Sequence, residues 1–337
     1  MTAYEGIPGA AGLFEFEVVA GAFNAAKQSG LLKALLEEPG SSAGYAQRLG
    51  LDPLATELVL EVLAEFGIAE REGEDYTAAS VLLRTNEASG LDRMFSYLEQ
   101  VPAFLARGER PLEMGGSLEL RETFYTNLVG TLGRRFGAAA AELAGVLPGS
   151  PRHILDVGAG SGVWSLAMAE RHTEARVTGM DLSNVLPAFE EWARQAGLTD
   201  RSETLEGDYF SAEIPLARFD RIVISHVLHL ETPERAAALL LRVAPALRPG
   251  GDLVIIENTG GGSAVRRRAR AVYRLHRALR TTGPGPHAWA EVRRWLRRSG
   301  LTPVKMIPLK SPPYGLTALL ARSRGGNVEA EEGRQGA

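Results

Sequence analysis

Cysteine is absent from the 337 residues. That excludes disulfides, thiolate nucleophiles and cysteine-bound zinc, and it leaves the redox compartment open. Lysine is nearly absent too: Lys27, Lys33, Lys305 and Lys310 stand alone, so arginine carries the basic charge. The net charge is only −4, which gives no general attraction to nucleic acid or anionic membrane. No apolar run approaches the roughly 18 residues of a membrane span. The opening MTAYEGIPGAAGLF lacks the basic and long apolar stretches of a secretory signal. The expectation is a cytoplasmic protein without nucleic-acid or membrane partners.

What is present divides near the middle. FEFEVVAGAFNAAKQSGLLKALLEE has helical spacing and stops at Pro39-Gly40; SSAGYAQRLG is a short helix closed by Gly50. LDPLATELVLEVLAEFG follows, with Leu58, Val59, Val62, Leu63 and Phe66 predicted to form one apolar face. IAEREGEDYTAASVLL reads as a β-ribbon turning at Glu72-Gly73-Glu74. Three helices and a ribbon give the winged-helix order. The third helix carries Glu57, Glu61 and Glu65 and no basic residue, so it would repel phosphate. The first 90 residues are therefore expected to serve packing or dimerisation, not DNA reading. Residues 91–150 continue as helices broken near Gly115-Gly116.

After LPGSP (147–151) strands and helices alternate. HILDVGA, ARVTGMDL, RSETLEGDYF, RIVISHVL and GDLVIIEN are predicted strands with helical stretches between them, the order of a parallel sheet covered on both faces. LTPVKMIPLKSPPYGLTALLARS adds two strands around a Pro312-Pro313 reversal, so the last strand is predicted antiparallel. The expected α/β domain spans 151–323, with a disordered tail from 324.

Asp156-Val157-Gly158-Ala159-Gly160-Ser161-Gly162 lies at the first strand-to-helix turn, where glycines let a ligand approach bare backbone. Its third glycine comes one residue too early for the dinucleotide pattern, and no P-loop lysine follows. The loop resembles that of class I S-adenosylmethionine (SAM) methyltransferases. Three more features continue the likeness: Asp181 ending VTGMD, Gly207-Asp208-Tyr209-Phe210, and ALRPGGDLVIIE. With the helical front half, the chain resembles the dimeric small-molecule O-methyltransferases of secondary metabolism. The resemblance implies a Rossmann-like seven-stranded, mostly parallel sheet with an antiparallel last strand, plus an N-terminal, mainly helical, winged-helix-like domain. It implies SAM as cofactor, held by Asp156, Gly158, Gly160, Gly162, Asp181, Leu182, Gly207, Asp208, Tyr209, Phe210, Ser225 and His226. Asp181 would take the ribose hydroxyls and Asp208 the adenine amino group, with Phe210 either stacking on adenine or packing in the core.

Two of the six histidines fall in SHVLHLE, residues 225–231. By resemblance His229 matches the family's base and Glu257 an acid that orients it. An imidazole with an ordinary pKa near 6.5 can take a proton as a hydroxyl is methylated. The family's Asp-Trp after the base is Leu230-Glu231 here, and a second orienting acid is not evident around Pro286-His287-Ala288-Trp289. His-x-x-His alone is a weak metal signal, so no metal is expected. Trp164, His226, Arg274 and Arg277 are the expected acceptor contacts. The two arginines come from AVRRRARAVYRLHRALRTT, which is either a solvated face or a source of one or two pairs for an anionic acceptor. The expected reaction is O-methylation of a small aromatic or anionic intermediate by a homodimer, with a carrier-bound acceptor as a variant. C- or N-methylation, a non-methylating member of the fold and a SAM-responsive regulator are the alternatives.

Overall fold

The computed structural model describes residues 9–79, 101–108, 117–258, 263–279, 286–313 and 315–324. It forms two units, residues 1–96 and 97–337. The Gly115-Gly116 break, Arg280 and the tail after 324 lie outside the described residues.

In the first unit the helices are α1 (Gly9–Gln28), α2 (Leu31–Glu37), α3 (Ser42–Leu49) and α4 (Pro53–Glu65). A three-stranded antiparallel sheet joins β1 (Gly40–Ser41), β2 (Ala69–Glu72) and β3 (Asp75–Ala78) in the order β1-β3-β2. Ser41 caps α3 and Asp52 caps α4, each side-chain oxygen accepting a backbone N–H of the first turn. Leu31, Leu35, Tyr45, Leu60, Leu63 and Tyr76 form the buried core. The face of α4 differs from the predicted one. Thr56, Leu60 and Leu63 are buried, whereas Leu58 and Phe66 are each 52% exposed. The apolar residues of α4 cover more than one side, so spacing alone did not single out the core side. The two-residue β1 is too short to leave a sequence signal.

The second unit opens with α5 (Val101–Arg107) and α6 (Leu118–Val146). Then come β4 (His153–Val157), α7 (Val163–Arg171), β5 (Arg176–Asp181), α8 (Leu186–Gln195), β6 (Ser202–Glu206) and β7 (Phe219–Ser225). A single 3-10 turn, Leu228–Leu230, leads to α9 (Pro233–Val243). After it follow β8 (Leu247–Asn258), α10 (Ala264–Ala278), α11 (Trp289–Arg298), β9 (Leu301–Pro308) and β10 (Leu316–Ser323). The seven strands are ordered β6-β5-β4-β7-β8-β10-β9. β4 to β8 are parallel, and β10 runs antiparallel to both neighbours, as predicted.

The core strands are almost wholly apolar because both faces are covered. Ile154, Val177, Val223, Val254 and Ile256 face α6, α7 and α8. The alternate residues Leu155, Val157, Ile222, Ile224, Leu253 and Ile255 face α9 and α11. Strand order reverses between β4 and β7, so a crevice opens beyond their carboxyl ends, the usual ligand position in open α/β sheets.

Candidate active site

The glycine turn sits at that reversal. Gly158, Gly160 and Gly162 all have positive φ. At Gly158 a Cβ would lie 2.6 Å from Val227 Cγ2, so the β4 turn and the segment after β7 approach closely only because this residue has no side chain. Val157 pairs with Ile224 across the two strands, which sets Ser225 beside Gly158. The Ser225 hydroxyl is buried and has no hydrogen-bond partner among the described residues.

Two acids stand near the turn in different environments. Asp156, ending in β4, is buried and accepts from Ser165 Oγ at 2.6 Å. Burial pushes its carboxyl up to about 7, against the Ser165 hydrogen bonds. Asp181, at the end of β5, accepts from the N–H of Gly160 and of Leu182, both at 2.8 Å. Burial raises it to about 6 despite those bonds. Next along the sheet edge, Gly207 (φ 140°) turns the chain after β6, and Asp208 Oδ1 accepts from Phe210 N–H at 3.2 Å. The Arg235 guanidinium lies 4.0 Å from the centroid of the Phe210 ring. One face of that ring is thus taken by a cation, and Tyr209 lies 5.1 Å away between ring centroids.

Tyr209 points elsewhere. Its hydroxyl bonds Glu231 Oε1 at 2.5 Å and Arg121 at 2.6 Å. Arg121 also meets Glu231 at 2.9 Å, and Arg235 meets the other Glu231 oxygen at 2.5 Å. Burial favours a neutral Glu231, but Arg235, Tyr209 and Arg121 outweigh it and hold the carboxyl below its ordinary range. Glu231, the departure from Asp-Trp, is thereby tied into α6 and α9 instead of the histidine.

The histidine turn is held from β8. His229 Nδ1 lies 2.8 Å from Glu257 Oε2, and the His229 N–H donates to Glu257 Oε1 at 3.3 Å. Both residues are buried. Burial pushes the Glu257 carboxyl up, but His229 and His226 outweigh it and keep it below the usual range. An ionised Glu257 accepts from Nδ1–H, which leaves the lone pair on Nε2. Tyr273 of α10 places its hydroxyl 3.0 Å from that Nε2. His226 lies alongside, its ring stacked on Phe136 at 4.8 Å between centroids and edge-on to His229 at 5.9 Å. Burial lowers His226 to about 4, so its ring is neutral at ordinary pH. One ligand atom each from His226, His229 and Glu257 lie within 4.8 Å of one another, close enough for one divalent ion as well as for a shared proton.

Two expected acceptor contacts lie elsewhere. Trp164 is 4% exposed and belongs to the core under the sheet; Phe136, 5.9 Å from it, is the ring that meets His226. Arg274 is exposed along with Arg267 and Arg270. One turn away, Arg277 is buried with Nη1 3.5 Å from the His229 carbonyl. Among the described residues of this helix, Arg267, Arg270 and Arg274 face solvent, whereas Arg277 turns inward and Arg266 donates to the Leu309 carbonyl. Sequence reasoning missed Tyr273, Phe136 and His287, whose Nε2 lies 3.0 Å from the Leu228 carbonyl. Tyr273 and Arg277, four apart, share a helix face, and that spacing was the available signal.

Residues 154–251 match the methyltransferase domain family. The chain is similar to 3-hydroxy-5-methyl-1-naphthoate 3-O-methyltransferase of Streptomyces sahachiroi, with 26% identity over 86% of this chain and 87% of the relative. It is also similar to the tetracenomycin polyketide synthesis 8-O-methyl transferase of Streptomyces glaucescens, at 24% identity over 84% and 87%. Human N-acetylserotonin methyltransferase, solved in complex with SAM, shares the fold with a TM-score of 0.69 at 18% identity, over 96% of this chain and 100% of that one. The buried, unpartnered Ser225 hydroxyl beside a bare glycine turn, with two acids beyond it, fits a polar nucleoside ligand. Residues 154–251, which hold the glycine turn, Asp181, Asp208 and His229, thus carry the methyltransferase-domain match.

Proposed function

We propose that the protein transfers a methyl group from SAM to a hydroxyl of a free, small aromatic natural-product intermediate. The observation that carries this reading is the buried Glu257–His229 pair, 2.8 Å apart, in the turn that follows β7 at the reversal of strand order. SAM would lie on the turn of Gly158, Gly160 and Gly162, with Asp181 toward its ribose hydroxyls and Asp208 and Phe210 toward adenine. Bound SAM supplies a methyl carbon on a positively charged sulfur. His229 Nε2 would take the proton that the acceptor hydroxyl gives up as it is methylated. Glu257 fixes the tautomer and stabilises the charge that His229 gains. Orienting the reactants contributes about 7–11 kcal/mol; the base adds roughly 10²–10⁴-fold.

The named relatives act on hydroxylated naphthoate and polyketide intermediates, which supports an aromatic acceptor. Exposed Phe16, Leu54, Leu58 and Phe66 on the first unit support a homodimer formed there.

The test is turnover with SAM and a panel of hydroxynaphthoates, followed by mass spectrometry for one added methyl. His229→Ala is expected to lower kcat by about 10²-fold or more with SAM affinity unchanged. Glu257→Gln is expected to lower kcat by less than His229→Ala does, with SAM affinity unchanged. Full turnover by His229→Ala refutes the base.

A further inference from the structure

His226 is not used by the chemistry proposed above, yet it is the most unusually placed side chain of the site. Its backbone is left-handed (φ 57°), a region non-glycine residues seldom occupy, although histidine does so more than most. The conformation is held by its own N–H, which donates to the Ile256 carbonyl of β8 at 3.0 Å. Residues kept in such conformations cluster at ligand sites. The ring is wedged between Phe136 at 4.8 Å and Tyr273 at 6.1 Å, and it faces His229. Both ring nitrogens are shielded from water and have no hydrogen-bond partner among the described residues. A buried imidazole normally finds partners, so two such atoms beside the reacting histidine mark a place for a ligand's polar atom.

We propose that His226 is a specificity-determining residue that hydrogen-bonds a second oxygen on the acceptor, next to the hydroxyl that is methylated. The inference rests on the methyl-transfer reading and adds the acceptor's class: an aromatic ring with oxygens on vicinal or peri carbons. Two such oxygens lie about one hydrogen-bond length apart, ~2.7 Å. The two imidazole rings meet edge-on with centroids 5.9 Å apart, near enough for a pair of this kind to meet one ring with each oxygen. The neutral state of His226 suits the task. With one N–H and one lone pair it can donate to a carbonyl or carboxylate or accept from a hydroxyl. Charge on His226 would also oppose proton uptake by its neighbour. Phe136, stacked on its far side, keeps the ring from turning away.

The test needs no turnover. With saturating S-adenosylhomocysteine, naphthalene-2,3-diol and 2-naphthol are titrated by calorimetry into the wild type, His226→Phe and His226→Asn. The wild type is expected to bind the diol about tenfold more tightly than the mono-ol, the worth of one buried hydrogen bond. In His226→Phe the preference disappears while 2-naphthol affinity is little changed; His226→Asn recovers part of it. Equal binding by the wild type, no diol binding, or a preference that survives in His226→Phe overturns the inference. The S-adenosylhomocysteine titration that precedes these runs separates the two readings. A silent cofactor titration defeats the methyl-transfer reading itself, whereas cofactor binding without diol preference defeats only the role of His226.

Discussion

Asp156 carries a carboxyl that burial holds at about 7, against 3.8 for an ordinary aspartate. Protonation therefore favours the folded chain. That contribution is complete below the unfolded value and is lost as pH rises through 7. Asp156→Asn removes the titration while leaving an acceptor for Ser165, so the variant's stability, measured by urea unfolding, is expected to fall less than the wild type's between about pH 5 and pH 8. Asp181, held at about 6, has the matching effect on ligand binding: a carboxylate is the better acceptor for ribose hydroxyls, so SAM affinity is expected to be level above that pH and to weaken below it. Gly158→Ala brings a Cβ to 2.6 Å from Val227 and should weaken SAM binding by calorimetry. Gly197→Ala, equally left-handed but facing open space, should not. If the two behave alike, backbone strain and not the closeness of the turn governs binding. At this scale the local motifs were legible. The glycine turn, Asp181 and Glu257 stand at or beside strand ends and His229 in the short turn after β7, places that a strand–helix alternation marks. Phe136, Tyr273 and Arg121 come from helices remote in sequence, and nothing local reports which strand end a helix will cover. Trp164 and Arg274 show the same limit, since a neighbour one position away on a helix points about 100° elsewhere.

Among the elements, the turn after β7 depends on partners from both sides. Glu231 joins Arg121 of α6, Arg235 of α9 and Tyr209 from the loop after β6, all close to the histidine turn. Removing the acid leaves Arg121 buried without its counter-charge. Glu231→Ala is expected to lower unfolding free energy by about 3–5 kcal/mol, read by urea titration. A change within about 0.5 kcal/mol, the range of ordinary surface substitutions, would show that the network carries little. The sheet was predictable because β4, β7 and β8 are apolar on both faces and are separated by helices of ordinary length. β8 begins at Leu247, which pairs with Phe219 ahead of Pro249-Gly250-Gly251; the register shifts across that turn and regular pairing resumes at Asp252. On α4 the chain offers apolar residues on several sides, and only tertiary packing decides that Leu60 and Leu63 go inward.

At the scale of the molecule, the two units divide the work proposed here. The first exposes Leu54, Leu58 and Phe66 on and just after α4, and a second copy would cover them. Leu58→Glu is expected to shift light-scattering mass from dimer to monomer without unfolding; a wild-type monomer at micromolar concentration removes the proposal. Among the described residues no helix is long and apolar enough to cross a membrane. Turnover is expected to survive exhaustive treatment with EDTA, because a proton between Glu257 and His229 suffices where a metal ion is also sterically possible. The most direct measurement is titration calorimetry of S-adenosylhomocysteine into the purified chain near neutral pH. Saturable binding at one site per chain, weakened in Gly158→Ala, is the result that follows from the bare turn after β4; no heat of binding in the wild type would contradict it.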